Sequence, residues 1–153
     1  MRVGIGYDLH PLRSGRELII GGVRIEHPTG LDGHSDADVL THAVIDALLG
    51  AAGLGDIGKL FPAGDPRFNG ASSLDLLLTT VEAVRAAGYR IVNVDATVIA
   101  EEPRLGPHLG AMKSNLAQHL GIEGVNVKAT SPEGLGVLGN QEGIAAQAIA
   151  LIE

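Results

Sequence analysis

The sequence contains almost no large aromatic side chains with which to fill a protein core. It has two Phe, two Tyr and no Trp among 153 residues, although hydrophobic residues make up 45% of the chain. The core must therefore consist of Val, Ile, Leu and Ala. A length of 153 residues suits a single domain, residues 1–153, and is enough to bury a core without disulfides.

Charge and cysteine content exclude several classes of protein. The formal net charge of −7 argues against a nucleic-acid binder, and the absence of Cys excludes a disulfide scaffold or a thiolate metal site. The N-terminus has no apolar segment typical of a signal peptide, and no apolar run approaches the ~20 residues of a membrane span. We therefore expect a cytoplasmic protein that binds neither nucleic acid nor membrane. An acidic chain would need local positive charge to bind a phosphorylated substrate, and metal ions can supply it.

Hydrophobic periodicity and turn residues predict an α+β fold. The predicted strands are residues 2–7, 18–20, 23–25, 91–100 and 125–130, and the predicted helices are residues 35–52, 72–87, 107–120 and 141–153. Gly21-Gly22 is predicted to be a hairpin turn, and residues 53–71 a long loop. This order favours one mixed β-sheet with helices packed on one face, a single-domain sandwich. The other face must also be covered, and self-association is the simplest way to cover it.

Two short segments contain side chains suited to a metal ion. Asp8 and His10 are two residues apart in an extended segment, so they project to the same side. His42 in the first predicted helix could join them, with Asp38 or Asp46 one helical turn away to orient its ring. Two His, one Asp and a vacant position are typical of a catalytic zinc site. The same residues also fit a turn with a surface His and a helix N-terminus favoured by acidic side chains.

Two further segments are candidates for binding a substrate. Residues 55–62, Gly-Asp-Ile-Gly-Lys-Leu-Phe-Pro, combine turn glycines with a carboxylate that suits a sugar hydroxyl. Residues 128–133 place Thr and Ser hydroxyls after a strand, where they can donate to phosphate, and Glu133 suits a hard ion such as Mg²⁺. Each segment also fits a purely structural turn. The remaining histidines have no such neighbours and are predicted to lie on the surface: His27, His108 and His119.

Taken together, these segments resemble the 2-C-methyl-D-erythritol 2,4-cyclodiphosphate synthases over essentially the whole chain. The most specific matches are residues 4–10, 34–42 and 55–58, with further matches at residues 100–105 and 128–130. Several motifs in this order are far more specific than any one of them. The resemblance implies an α+β subunit that assembles as a homotrimer, with active sites between neighbouring subunits.

The resemblance also implies an activity. Members of this family convert 4-diphosphocytidyl-2-C-methyl-D-erythritol 2-phosphate to 2-C-methyl-D-erythritol 2,4-cyclodiphosphate and release CMP, a step of non-mevalonate isoprenoid synthesis. The chain would thus be a metal-dependent phosphorus–oxygen lyase. Because the nucleophile and the leaving group are both phosphate anions, catalysis would depend on positioning and charge neutralisation.

Metal-binding and catalytic roles follow from the same resemblance. The implied Zn²⁺ ligands are Asp8, His10 and His42. Glu133 matches the ligand of a second cation, Mg²⁺ or Mn²⁺, bound with the substrate diphosphate. His34 and Ser131 match catalytic residues that support the reacting phosphate.

The resemblance implies a larger set of substrate-binding residues. Asp56 and Gly58 match contacts to the ribose, and residues 100–105 match the cytosine pocket. The full implied set is Asp8, His10, His34, Ser35, Asp56, Ile57, Gly58, Phe61, Ala100, Pro103, Arg104, Leu105, Thr130, Ser131 and Glu133.

Four positions depart from the usual residues of the family. Ser131 stands where Thr is familiar, and Arg104 stands where Lys is common. Val137 and Asn140 replace an aromatic residue and an arginine that, in some members, line a channel along the trimer axis. The sequence therefore does not predict that this channel binds an isoprenoid diphosphate.

Two other functions remain open at this point: a metal-dependent phosphohydrolase and a metal-stabilised binding protein without activity.

Overall fold

The computed structural model describes residues 1–153 as a five-stranded mixed sheet packed against helices. The strands are β1 (Arg2–Ser14), β2 (Leu18–Ile20), β3 (Val23–Ile25), β4 (Thr29–Leu31), β5 (Ile91–Ile99), β6 (Val125–Thr130) and β7 (Gly143–Ile152). The helices are α1 (Val39–Ala52), α2 (Ile57–Leu60), α3 (Ser73–Ala86), α4 (Leu109–Leu120) and α5 (Gly136–Gly139), with 3₁₀ turns at Pro66–Phe68 and Gly106–His108. None of these helices has the length and apolarity needed to cross a bilayer.

The main sheet has the strand order β4-β1-β7-β5-β6, and β2 and β3 form a separate hairpin. β5 and β6 are parallel, whereas all other neighbours are antiparallel. The predicted α+β class and mixed sheet are thereby confirmed. The predicted helix over residues 141–153 is wrong, because Gly143–Ile152 is the central strand β7, paired with β1 on one edge and with β5 on the other.

Strand β1 approaches helix α1 more closely than ordinary side chains allow. Gly4 and Gly6 lie on the buried face of β1. A Cβ atom on Gly6 would lie 1.9 Å from the carbonyl oxygen of Ala43, and one on Gly4 would lie 2.0 Å from that of Ala47. Small residues on both elements therefore let the two backbones pack together, which fills this part of the core without aromatic rings.

The opposite face of the sheet is apolar and exposed. Val3 is 67% exposed and Ile5 is 61% exposed, although both belong to a strand that is paired with β7. We call this surface the apolar face; its members are Val3, Ile5, Tyr7, Leu9 and Ile149. Ile5 pairs directly with Ile149 across β1 and β7, so the surface spans two strands. An exposed apolar patch of this kind is typical of a protein interface.

The N-terminus of α1 differs from the prediction. The helix begins at Val39 rather than near Ser35, and Asp38 is its N-cap, whose carboxylate accepts the N–H of Thr41 at 3.0 Å. Ala37 has a left-handed φ of 55°, so the chain turns between Ser35 and Asp38 instead of coiling. The predicted loop 53–71 contains α2 and a 3₁₀ turn. The sequence prediction also missed β4 and α5, which are three and four residues long.

Candidate metal centre and substrate pockets

Three side chains from β1 and α1 converge on one point. Asp8 Oδ2 lies 2.9 Å from His10 Nε2 and 3.0 Å from His42 Nδ1, and these two nitrogens are 3.3 Å apart. The predicted grouping is therefore present, with one ligand atom from each residue within 4.8 Å of the others. Asp8 and His10 share the face of β1 that packs on α1, where His42 lies one turn from the helix start.

The carboxylate of Asp8 and the imidazole of His10 shift each other's pKa. Burial alone would raise the pKa of Asp8, but hydrogen bonds with His10 and His42 outweigh it and hold that pKa well below its ordinary range. Burial would lower the pKa of His10, but the hydrogen bond to Asp8 reverses the effect and raises it. Two imidazole nitrogens and one carboxylate oxygen match the donor set of a Zn²⁺ site better than that of Mg²⁺ or Ca²⁺, which prefer oxygen alone.

His42 is oriented by serines rather than by acidic residues. Its Nε2 lies 2.8 Å from Ser73 Oγ and 3.0 Å from Ser35 Oγ. The prediction that Asp38 or Asp46 orients this ring is wrong. Asp38 is engaged in capping α1, and Asp46 accepts a backbone N–H from the start of α2. Sequence spacing along α1 could not reveal Ser73, because it reaches His42 from a different helix.

His10 is oriented by the backbone of the loop after β4. Its Nδ1 lies 3.0 Å from the carbonyl oxygen of Asp32, so Nδ1–H donates a hydrogen bond to that oxygen. The other ring nitrogen, Nε2, is the one that faces Asp8 and His42. A Cβ atom on Gly33 would lie 2.8 Å from His10 Cε1, so the loop passes the ring closely. Gly33 therefore leaves room for the His10 ring, a role that the sequence alone could not indicate.

The cluster forms part of the wall of a pocket of about 220 Å³. The lining residues are Asp8, His10, His34, Ser35, His42, Ile57, Gly58, Phe61, Ala63, Phe68 and Leu76. Asp56, predicted to bind substrate, is absent from this lining; it is exposed and accepts the N–H of Lys59 at 2.9 Å as the N-cap of α2. Phe68 was not selected from the sequence, yet both Phe residues of this aromatic-poor chain meet here, with ring centroids 5.3 Å apart.

A second pocket, of about 430 Å³, lies at the carboxyl ends of β5 and β6. Its lining residues are Ala100, Glu101, Pro103, Arg104, Leu105, Gly106, Pro107, Ala129, Thr130 and Ser131. The parallel pairing of Ile99 with Thr130 places these two strand ends side by side. No residue lines both this pocket and the one beside the metal-ligand cluster. Within one chain, the predicted substrate-binding residues other than Asp56 and Glu133 are therefore divided between two separate pockets.

Glu133 lies on an exposed turn outside both pockets and outside the His–Asp cluster. It has a left-handed φ of 55°, and its N–H donates to Ser131 Oγ at 2.9 Å. Glu101 accepts hydrogen bonds from Ser131 Oγ at 3.2 Å and from the N–H of Gly134 at 3.0 Å. Glu101, which lies within the segment matched to the cytosine pocket, thus holds this turn from the neighbouring strand end.

The three histidines that were predicted to lie on the surface stand apart from the metal-ligand cluster. Each is half-buried rather than fully on the surface: His27, His108 and His119. His119 Nδ1 contacts the carbonyl oxygen of Asn115 at 2.7 Å, and His27 Nδ1 contacts that of Thr29 at 3.0 Å. These two rings therefore serve local structure.

Comparison with known proteins identifies the family of this chain. The YgbB family model matches residues 1–153, the whole chain. The chain belongs to the YgbB family. It is 61% identical to a 2-C-methyl-D-erythritol 2,4-cyclodiphosphate synthase from Bordetella petrii, over 99% of this chain and 94% of that protein. It is 56% identical to one from Syntrophomonas wolfei, over 100% and 99% of the two chains. The resemblance seen in the sequence is confirmed.

Solved structures of YgbB relatives have the same fold. A 2C-methyl-D-erythritol-2,4-cyclodiphosphate synthase in its CDP-bound form superposes with a TM-score of 0.91 at 36% identity, over 99% of this chain and 100% of that one. The bifunctional IspDF from Campylobacter jejuni superposes with a TM-score of 0.94 at 42% identity. The present chain spans 42% of that longer protein.

Proposed function

We propose that this chain converts 4-diphosphocytidyl-2-C-methyl-D-erythritol 2-phosphate to 2-C-methyl-D-erythritol 2,4-cyclodiphosphate, with release of CMP. It would thus be a cytoplasmic phosphorus–oxygen lyase of the non-mevalonate isoprenoid pathway. The observation that carries the proposal is the Asp8–His10–His42 cluster in the wall of a pocket, in a chain of the YgbB family.

Asp8, His10 and His42 would hold Zn²⁺, and Glu133 would hold Mg²⁺ or Mn²⁺ together with the substrate diphosphate. When bound, these ions supply positive charge and Lewis acidity to the phosphates. Their charge allows a chain with a formal net charge of −7 to act on an anionic substrate. The cluster of two imidazoles and one carboxylate supports the first site, and the exposed carboxylate of Glu133 on a hydrogen-bonded turn supports the second.

The remaining site residues would position the substrate. His34 and Ser35 line the pocket beside the metal ligands, where His34 would contact the reacting phosphate. Ile57, Gly58 and Phe61 line the same pocket, next to Asp56, which would contact the ribose. The residues assigned to the cytidine and its phosphates line the second pocket: Ala100, Pro103, Arg104, Leu105, Thr130 and Ser131.

The reaction is an internal displacement at phosphorus. An oxygen of the 2-phosphate forms a bond to the β-phosphorus, the bond from that phosphorus to the oxygen bridging to the α-phosphate breaks, and CMP leaves with the electron pair. The nucleophile is already an anion, so the chain need not remove a proton. His34 and Ser131 therefore act by holding phosphate oxygens in line and offering hydrogen bonds as charge moves.

The active assembly would be a homotrimer with each active site shared by two chains. Two observations support this proposal. The apolar face is exposed in the single chain and is suited to burial against other copies. The predicted substrate-binding residues, apart from Asp56 and Glu133, line two separate pockets, which neighbouring chains could bring together.

A test is to incubate the metal-loaded protein with the cytidylylated substrate and follow CMP release, with ³¹P NMR of the products. We expect CMP and a cyclic diphosphate in equal amounts. An opened monophosphate product would favour a metal-dependent phosphohydrolase instead. Zinc binding without turnover would favour a metal-stabilised binding protein.

A further inference from the structure

A buried hydrogen-bond network extends from His42 away from the metal-ligand cluster. Ser73, the first residue of α3, is fully buried, and its Oγ lies 2.8 Å from His42 Nε2. The hydroxyl of Ser73 donates to Asp36 Oδ1, and the backbone N–H of Ser73 donates to Asp36 Oδ2 at 2.9 Å. Asp36 Oδ1 also accepts the N–H of Asp38 at 3.2 Å.

The direction of these bonds fixes the tautomer of His42. A serine hydroxyl has one hydrogen, and a carboxylate can only accept. The hydroxyl hydrogen of Ser73 is therefore donated to Asp36. The Ser73 oxygen that faces His42 must then act as an acceptor, and Nε2 must carry the ring hydrogen. A neutral imidazole carries only one, so with a metal ion bound this network would leave the Nδ1 lone pair free to ligate it, on the side of the ring where Nδ1 lies 3.0 Å from Asp8 Oδ2 and 3.3 Å from His10 Nε2.

Ser35 cannot fix this direction alone. Its Oγ lies 3.0 Å from His42 Nε2 and accepts the N–H of Ala37 at 3.2 Å, which leaves its own hydrogen free to donate to the ring. The carboxylate behind Ser73 removes this freedom, because it holds the hydroxyl hydrogen.

We propose that Asp36 and Ser73 are positioning residues that set His42 in the tautomer able to bind a metal ion through Nδ1. The inference rests on the proposed metal site and assigns to it two residues that contact no ligand atom of the cluster. The two segments involved are also joined through the backbone. The N–H of Asp36 donates to the carbonyl of Ala71 at 3.1 Å, and the N–H of Gly70 donates to that of His34 at 2.9 Å.

The two informative variants are Asp36→Asn and Ser73→Ala. The Asn amide keeps the size of the side chain, but its NH₂ can donate to Ser73 Oγ and turn the hydroxyl hydrogen toward His42 Nε2. That arrangement favours the tautomer with hydrogen on Nδ1, where the metal must bind. We expect Asp36→Asn to weaken zinc affinity by about 10–100-fold. Ser73→Ala should weaken it less, because Ser35 can still accept from Nε2.

Zinc affinity is measured by competition with a chelator, and the melting temperature of each metal-free protein reports folding. Matched controls come from the same helix. Asp75→Asn removes one exposed charge from the first turn of α3, and Ser72→Ala removes an N-cap hydroxyl that makes no capping hydrogen bond. Both controls should bind zinc as the wild type does.

A second measurement needs no variant. Long-range ¹H–¹⁵N spectra of the zinc-loaded wild type should show His42 with its hydrogen on Nε2 and the metal on Nδ1. Metal on Nε2 would overturn the inference, as would wild-type zinc affinity in both Asp36→Asn and Ser73→Ala. Either result leaves the proposed function standing. A wild-type chain that binds no zinc would overturn the proposed metal site and the inference with it.

Discussion

At the scale of single residues, Asp38 shows how one carboxylate can join two parts of the fold. It is fully buried and accepts four hydrogen bonds, from the N–H groups of Gly21, Gly22 and Thr41 and from the Thr41 hydroxyl, at 2.7–3.0 Å. Burial raises the pKa of Asp38 overall, although these hydrogen bonds oppose the shift. The residue therefore ties the β2–β3 turn to the start of α1, immediately before the helix that carries His42.

We expect Asp38→Asn to lower the free energy of unfolding by about 1–3 kcal/mol, because its NH₂ would face donors and leave a buried hydrogen bond unmade. Urea unfolding of the metal-free protein measures the change. Asp75→Asn, at an exposed position on α3, is the matched control. Equal stability of the two variants would contradict the role assigned to Asp38.

Glu133 allows the two proposed metal sites to be separated. It lies outside the His–Asp cluster, so Glu133→Gln should leave bound zinc unchanged. Turnover should fall, because the amide binds a hard cation less well than a carboxylate does. Metal analysis of the purified variant, together with its activity over a range of Mg²⁺ or Mn²⁺ concentrations, makes the comparison. Loss of zinc with preserved activity would show that the assignment is wrong.

Some residues of the candidate site could be predicted from the sequence, whereas others could not because their contacts are long-range. Asp8 and His10 follow the two-residue period of a strand, so their convergence could be predicted from spacing. Ser73 is distant from both in the chain, and its contact with His42 depends on how α3 packs. The spacing of residues within one helix or strand carries no information about a contact between two helices, so this contact had to come from the structure.

At the scale of secondary-structure elements, β7 shows where local sequence preferences fail. Gly143–Ile152 is rich in Ala, a strong helix former, and its sequence shows no clear polar–apolar alternation because its more exposed side carries the apolar residues Ile149 and Leu151. Its position between β1 and β5 determines the outcome, because a central strand pairs on both edges. The predicted bounds of α3 and α4 agree with the structure within two residues, since both helices have periodic apolar residues and end near a Gly; for α1 only the C-terminal end, next to Gly53, was predicted correctly.

The close contact between β1 and α1 predicts a strong effect at Gly6. A Cβ atom there would overlap the backbone of α1, so Gly6→Ala must separate the two elements that carry Asp8 and His42. We expect the free energy of unfolding to fall by about 1–3 kcal/mol and zinc affinity to weaken in parallel. Urea unfolding and chelator competition measure the two effects.

A matched control is Gly110→Ala, since Gly110 lies in α4 and an added Cβ would have no atom within 4 Å. That change should stabilise the protein by about 0.5–1 kcal/mol, because Ala favours a helix more than Gly does. A stable Gly6→Ala protein with normal zinc affinity would contradict the close approach of β1 and α1.

At the scale of the whole molecule, the positions of the apolar face and of the two pockets indicate how copies of the chain could assemble. The apolar face lies on one side of the sheet, and the helices cover the other. The metal-ligand cluster and the pocket formed by β5 and β6 share no lining residue. A trimer that buries the apolar face and joins the two pockets across each interface would account for both features, and it makes a quantitative prediction about mixed assemblies.

The prediction uses two variants, His42→Ala in the metal-ligand cluster and Ala100→Phe in the second pocket. Each should be nearly inactive alone, because every shared site lacks one intact half. In a cyclic trimer that contains both variants, one interface joins an intact cluster to an intact pocket, whichever variant is in excess. Mixed trimers should therefore regain about one third of wild-type activity, and random mixing of equal amounts should give about one quarter. Light scattering measures the oligomeric state, and the melting temperature of each variant shows whether it is folded. A monomeric wild type would favour an active site within one chain. Mixed trimers that form but stay inactive would favour the same conclusion.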